Sequence, residues 1–150
     1  MKNLLLLLAV VWSISACQKT EIEAAPTSST GAPVNLSNPA QTFDVAGQKL
    51  IAQGTFMGSG RYSASGVVKR YEKGAKQTLV FEDFKIDSGP DLRIYLAEDK
   101  SAKGFVELSS KVNSGNFFLE LPANTDLAKQ KQVLIWCKQF TVLFGNAELK

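Results

Sequence analysis

The sequence predicts an all-β fold, a β-sandwich of about eight short strands with at most one short helix. From Gly47 onward, short apolar runs are broken by Gly, Pro, Asn and Asp, as expected for strands joined by turns. Within LRIYLA, Leu92, Ile94 and Leu96 share one face of an extended chain, which is the period of a half-buried strand. About eight strands in roughly 100 residues favour a sandwich over a barrel.

Each predicted element is an apolar run that ends at a turn signal. Turn chemistry is strongest in EKG, which ends at Gly74, and in SGPD, residues 88–91. The one helical candidate is NTDLAKQK, in which Asn124 or Thr125 would cap a turn begun by Asp126. The predicted strands cover residues 50–57, 65–72, 77–84, 92–98, 105–109, 116–121, 133–137 and 139–144.

The composition is that of one ordinary globular domain. The 150 residues are 45% hydrophobic and carry a formal charge of +3, with basic and acidic residues spread along the whole chain. Because no block of one sign occurs, we expect no binding to nucleic acid. The chain has no histidine, which excludes Ser/His/Asp and Cys/His nucleophiles and histidine-bearing zinc sites. No catalytic set is recognisable, and no motif identifies a metal or a cofactor.

The first 16 residues have the features of an export signal peptide. Lys2 precedes the apolar run LLLLLAVV, which has about half of the roughly 20 residues that a spanning helix needs. The small-residue stretch that ends in Cys17 resembles the bacterial lipobox, after which the signal is removed and the cysteine is acylated. This resemblance predicts a lipoprotein of the bacterial cell envelope, anchored to the membrane through Cys17.

Residues 17–46 form the predicted lipidated linker. They are rich in Ala, Pro, Ser and Thr, and their isolated apolar residues follow no period. Such a segment buries too little surface to order itself, so we expect a disordered tether. The folded domain is then expected to occupy residues 47–150.

Four stretches of this domain resemble the DM-thirteen domain, a proposed electron-transfer module often found beside DOMON domains. They are LVFEDFKIDSGPDLRIYLAED, GNFFLELPANTDL, VLIWCKQFTVLFGNAEL and, more weakly, GTFMGSGRYSASGVV. The most specific motif is Gly89, Pro90, Asp91 and Leu92, followed at the family's spacing by Leu121-Pro122 and by the IWC triplet that ends at Cys137. The likeness covers residues 49–149.

The resemblance implies a sandwich-like fold and a redox role centred on Cys137, with Trp136 and Lys138 as its neighbours. It also implies that electrons pass between this domain and a partner protein. The sequence departs from the family at Tyr62, which precedes SASG where many relatives carry histidine. If a cysteine and histidine pair is part of the family's chemistry, this chain lacks half of it.

The local sequence leaves two interpretations of Cys137 open. In an extended strand Val133, Ile135 and Cys137 point one way, whereas Trp136 and Lys138 point the other. A cysteine buried among apolar neighbours is inert, because burial disfavours the thiolate. A β-bulge at Cys137 or Lys138 would instead turn the sulfur toward solvent.

The chemistry open to Cys137 is limited by its being the only thiol once Cys17 is acylated. It cannot form a disulfide within the chain, so a disulfide would have to join it to a partner. Oxidation to a sulfenic acid and ligation of haem iron also need only one thiolate, although no motif supports haem. Blue-copper chemistry is disfavoured, because it requires imidazole ligands.

These observations predict a membrane-anchored envelope lipoprotein whose domain transfers electrons through Cys137. The alternative is a binding or adhesion module in which Cys137 only packs. Trp136, Phe81, Phe84, Phe140 and Phe144 are candidates for stacking on a sugar or a flat cofactor, although such residues more often form the core.

Overall fold

The computed structural model of the chain describes residues 31–150, which form two packed five-stranded sheets. The first sheet has the order β1-β8-β5-β4-β2, and the second has the order β3-β10-β9-β6-β7. The strands are β1 (Val34–Asn35), β2 (Lys49–Thr55), β3 (Met57–Gly58), β4 (Ala64–Lys73), β5 (Lys76–Ile86), β6 (Leu92–Ala97), β7 (Val106–Ser109), β8 (Gly115–Glu120), β9 (Gln132–Cys137) and β10 (Val142–Glu148).

The core lies between the two sheets and is built from alternate residues of their strands. Phe81 and Phe117 stack at 4.3 Å between ring centroids and fill the first sheet's inner face. Ile94, Leu96 and Ile135 fill the inner face of the second sheet, and all three are fully buried. The predicted all-β sandwich class is therefore confirmed.

No helix occurs among residues 31–150, and the one helical candidate forms only a turn. The amide of Gln130 donates to the carbonyl oxygen of Asp126 at 2.7 Å. The side chain of Asp126, not Asn124 or Thr125, caps this turn by accepting from the amides of Ala128 and Lys129. The turn does not continue into a helix because this stretch has too little apolar surface to pack a longer helix against the sheets.

The last strand begins later than predicted. The sequence analysis expected a strand over 139–144, but Lys138–Thr141 form a four-residue turn and β10 runs from Val142 to Glu148. A register shift between Leu143 and Gly145 then sends Phe144 into the core. The irregularity of this strand pair therefore lies in β10, and the β-bulge considered at Cys137 or Lys138 does not occur.

The segment before residue 47 is partly attached to the first sheet. Strand β1 pairs in parallel with β8, Leu36 is buried, and the ring of Phe43 lies 5.1 Å from Tyr71 and 5.5 Å from Phe118. The sequence analysis placed this stretch in the tether because its few apolar residues show no period. The predicted signal peptide, Cys17 and the linker as far as residue 30 lie outside the described residues.

The two ends of the sandwich are formed by different connections between strands. At one end, which we call the motif end, β5 passes into β6 through residues 87–91, and β9 turns into β10 through residues 138–141. At the same end the side-chain amide of Asn116 donates a hydrogen bond to the carbonyl oxygen of Gly31. At the other, the far end, β4 turns into β5 at Gly74. Cys137 and the predicted family motif both belong to the motif end.

Candidate functional site

Cys137 is the last residue of β9, a central strand of the second sheet. Its neighbours in register are Leu92 on β6 and Val142 on β10, and it belongs to the main core. Its exposed fraction is 0%, and it is the one free cysteine among the described residues. Of the two interpretations left open by the sequence, the structure has the buried one, and the sulfur has no contact with solvent in this fold.

The motif loop covers this part of the core because position 89 has no side chain. A Cβ atom on Gly89 would stand 2.8 Å from Cδ2 of Leu92 and 2.9 Å from Cζ of Phe144. Such distances are shorter than van der Waals contact, so only glycine lets the loop lie this close. Leu92 and Phe144 belong to the two strands that flank β9. We call Gly89, Leu92, Phe144 and Tyr62 the cover.

Tyr62 completes the cover by stacking on Phe144. The two ring centroids are 3.7 Å apart and the planes differ by 11°. The amide of Ser63 next to it donates to the carboxylate of Asp87 at 2.7 Å, which ties the loop at residues 59–63 to the motif loop. At the position where the resemblance predicts a histidine in many relatives, this chain therefore has the ring of Tyr62 packed against Phe144.

Neither of two pockets in the described part of the chain is lined by Cys137. A pocket of about 330 Å³ lies beside the cover, lined by Ile86, Asp87, Gly89, Leu92 and other residues of the motif end, and Cys137 is not part of its wall. A larger pocket of about 630 Å³ lies elsewhere, between the edge of β2 and the outer side of β10. Access to the sulfur therefore requires movement of the cover or of the turn.

The predicted neighbours of Cys137 lie on the opposite face of the sheet. Trp136 pairs with Arg93 and Leu143 and packs in a small cluster outside the main core. Lys138 is exposed, its amide donates to the carbonyl oxygen of Asp91 at 2.9 Å, and its Nζ lies 3.9 Å from Glu107. Neither side chain is placed to stabilise a thiolate at position 137.

An ion-pair network joins the motif to this outer face. The guanidinium of Arg93 donates to Asp91 at 2.6 Å and to Glu107 at 2.9 Å. The hydrogen bond to Asp91 is the main cause that raises the pKa of Arg93 above its ordinary value, with burial acting in the opposite direction. The carboxylate of Asp91 thus binds the side chain of Arg93 on β6, the strand that pairs with β9.

Three aromatic side chains form a row beside this network. Tyr95 stacks on Phe105 at 4.3 Å and faces Trp136 at 6.4 Å between ring centroids. Burial is the main cause that raises the pKa of Tyr95. Trp136 was predicted as a stacking candidate, whereas Tyr95 and Phe105 were not. The sequence did contain a signal for Tyr95, because the alternation in LRIYLA places its ring on the face opposite Leu92, Ile94 and Leu96.

The other stacking candidates divide between core and surface. Phe81, Phe84 and Phe144 are buried in the core, whereas Phe140 is 63% exposed at the β9–β10 turn. Among residues 31–150, no group of three or more His, Cys, Asp or Glu side chains is arranged to hold a metal ion. Within the same residues, no helix has the length and apolar character required to cross a membrane.

Comparison with protein families identifies the domain. The family model described as Electron transfer DM13 matches residues 55–149, which include the motif loop, the cover and Cys137. No curated protein and no solved structure is significantly similar to the chain. Because the match spans more than half of the chain and its strands form the predicted sandwich, the chain belongs to the Electron transfer DM13 family.

Proposed function

We propose that this protein is a lipid-anchored component of the bacterial cell envelope whose domain transfers electrons, with Cys137 as the redox residue. Membership of an electron-transfer family over residues 55–149 is the observation that carries the redox role. The apolar run of the first 16 residues and the lipobox-like stretch ending at Cys17 support the anchor.

The burial of Cys137 determines how such a role would operate. A sulfur with 0% exposure is closed to a protein partner in the resting fold, so the reactive form is one in which the cover or the turn has opened. The turn is a natural opening point, because Thr141 has a φ of 52°, a conformation that costs a β-branched residue energy. The closed form would then protect the thiol from indiscriminate oxidation.

In the opened form, Cys137 would react with a disulfide of a partner protein. The thiol loses its proton, the thiolate sulfur forms a bond to one partner sulfur, and the other partner sulfur leaves as a thiolate. A thiolate of a second, dithiol protein then attacks the Cys137 sulfur of the mixed disulfide, and the first partner's sulfur leaves as a thiolate, so that partner has gained two electrons. The second thiolate of the donor protein attacks the new mixed disulfide, which releases Cys137 as a thiolate and leaves the donor with a disulfide. The donor dithiol is required because the described part of this chain offers only one thiol.

Thiol labelling of the folded protein tests the proposal. The mature chain with Cys17→Ser has Cys137 as its one thiol, and the double variant Cys17→Ser, Cys137→Ser supplies the zero-labelling control. We expect labelling under native conditions to be much faster than global unfolding measured on the same sample, because local opening costs less free energy than unfolding. Labelling at the rate of global unfolding would reject a redox role for Cys137.

The second candidate function is a binding module in which Cys137 only fills space. The observation that favours it is the sealed position of the sulfur in the core. Exposed Phe105 and half-buried Trp136 would then form the contact surface, with buried Tyr95 packed beside both rings, since aromatic faces stack on sugars and flat ligands. Slow labelling of Cys137, together with ligand-dependent quenching of Trp136 fluorescence, is the result that this alternative predicts.

A further inference from the structure

We infer that the motif end of the sandwich rests on the lipid surface, with Phe140 at the tip of the β9–β10 turn entering the headgroup region. The inference rests on the proposed acyl anchor at Cys17 and goes beyond it, because an anchor alone does not specify which side of the domain touches the membrane. The occupant of this surface is the bilayer to which the chain is attached.

The point at which the chain enters the domain is the first observation. The backbone at Gly31 is held to the start of β8 by a hydrogen bond of 3.1 Å from Asn116, and Phe84 on β5 pairs with Gly115 beside it. Two residues further along β5, Ile86 pairs with Ala64 at the edge of the motif loop. The segment that leads to the anchor therefore leaves the domain at the motif end.

The segment between Cys17 and Gly31 is short compared with the length of the domain. From Cys17 to Gly31 the chain advances 31 − 17 = 14 residues, which can span at most about 50 Å when fully extended. A flexible chain of this length has a typical end-to-end distance of about 20 Å. Strand β5, with 11 residues, is itself about 36 Å long. Contact between the far end and the membrane would require the segment to stretch well beyond its typical end-to-end distance, whereas contact at the motif end requires no stretching.

Phe140 is suited to lipid contact. It is 63% exposed, the highest value among the exposed large hydrophobic residues of the described chain, and it stands at the tip of a turn. An aromatic ring at a loop tip enters the interface between headgroups and acyl chains favourably. The exposed charged side chains of this end have an excess of two positive charges, which suits a surface of phosphate headgroups. They are Arg61, Lys85, Lys111 and Lys138 against Asp83 and Asp87.

The far end also exposes apolar side chains. Val45, which precedes β2, is 59% exposed, and Leu50, which lies in β2 where it pairs with the end of β4, is 47% exposed. With the motif end on the lipid, these residues point away from the membrane and stay available to other molecules. If these residues contacted the lipid instead, the far end would be the side that touches the membrane, and the test below distinguishes the two orientations.

Fluorescence quenching by brominated lipid locates the surface that touches the membrane. The full acylated chain is reconstituted into vesicles of phosphatidylcholine brominated on its acyl chains, as parent, as Phe140→Trp and as Ala75→Trp. Ala75 is an exposed residue of the β4–β5 turn at the far end, so it is the matched control. The parent spectrum gives the contribution of Trp136. We expect the added emission at position 140 to be quenched about twofold or more relative to position 75.

Two readouts separate this inference from the anchor on which it depends. If the parent chain does not float with the vesicles, the proposed anchor and this orientation are both overturned, whereas the proposed redox role of Cys137 is unaffected. If the chain floats but positions 140 and 75 are quenched equally, or position 75 is quenched more, the anchor stands and the orientation is wrong. Flotation together with selective quenching at position 140 supports both.

Discussion

A missing side chain at position 89 lets the motif loop seal the core above Cys137. The space that a Cβ atom would need is occupied by Leu92 and Phe144, which flank strand β9. The sequence could predict that Gly89 lies in a turn, since SGPD is strong turn chemistry. It could not predict the contact with Phe144, which lies 55 residues later and enters the core only through the bulge in β10.

Gly89→Ala should destabilise the fold by about 1–3 kcal/mol, because the added methyl group forces the loop or the two core side chains to move. Chemical denaturation of the purified domain measures this change. Gly31→Ala is the control, since no atom lies within 4 Å of the position where its Cβ would be placed. Equal stabilities of the two variants would show that the loop is not held against the core.

Asp99 is a residue whose charge contributes to stability in a defined pH range. Hydrogen bonds from the hydroxyl and the amide of Ser101, and from the amide of Lys103, hold the pKa of Asp99 below its ordinary value of 3.8. A lowered folded-state pKa stabilises the fold above 3.8, and that contribution is lost as the pH falls through the folded-state value.

Asp99→Asn should therefore lower the melting temperature at neutral pH and weaken its dependence on pH below 3.8. Melting curves across the acidic range check both parts. Ser101→Ala is a useful companion, because it removes the largest cause of the lowered pKa and keeps the carboxylate. A mutant whose acid profile matches the parent would contradict this account of Asp99.

At the scale of elements, the segment from Val34 to Phe43 is part of the domain although it precedes the family match. Its strand β1 extends the edge of the first sheet, and Phe43 covers the outer side of that sheet at Tyr71 and Phe118. The sequence could not predict this docking, because two paired residues and one ring leave no period to detect.

Phe43→Ala should cost about 1–2 kcal/mol of stability, less than a fully buried phenylalanine, because the ring is only partly covered. Val45→Ala, at a residue that is 59% exposed, should change stability very little. The comparison uses urea unfolding of both variants. No difference between them would mean that the segment does not pack on the sheet in solution.

The last strand shows what strand prediction captures and what it misses. Apolar alternation correctly predicted β6, and parity correctly grouped Cys137 with Val133 and Ile135 on one side of β9, since both depend only on local sequence. The shift of β10 to Val142–Glu148 depends on the register with β9 and on the turn at Lys138–Thr141. Register is a pairing between strands, and a single run of residues does not encode it.

At the scale of the whole molecule, the fold class and the family could be predicted from the sequence, whereas the burial of Cys137 could not. Turn spacing and alternation were sufficient for an all-β sandwich, and the motif with its spacing was sufficient for the family. The cover that packs on the core cluster of Cys137 consists of Tyr62, Gly89, Leu92 and Phe144, which come from three separate parts of the chain. Their convergence is a property of the packed sandwich.

The most direct test of the proposed redox role is the oxidation state of Cys137 in intact cells. Cells are quenched in acid, free thiols are alkylated, and reversibly oxidised thiols are then reduced and alkylated with a heavier reagent for mass spectrometry. A redox residue should show a reversibly oxidised fraction that grows after a mild thiol oxidant and disappears after a reductant. Cys137 that stays fully reduced under all these conditions, in folded protein, would contradict the electron-transfer role proposed for it.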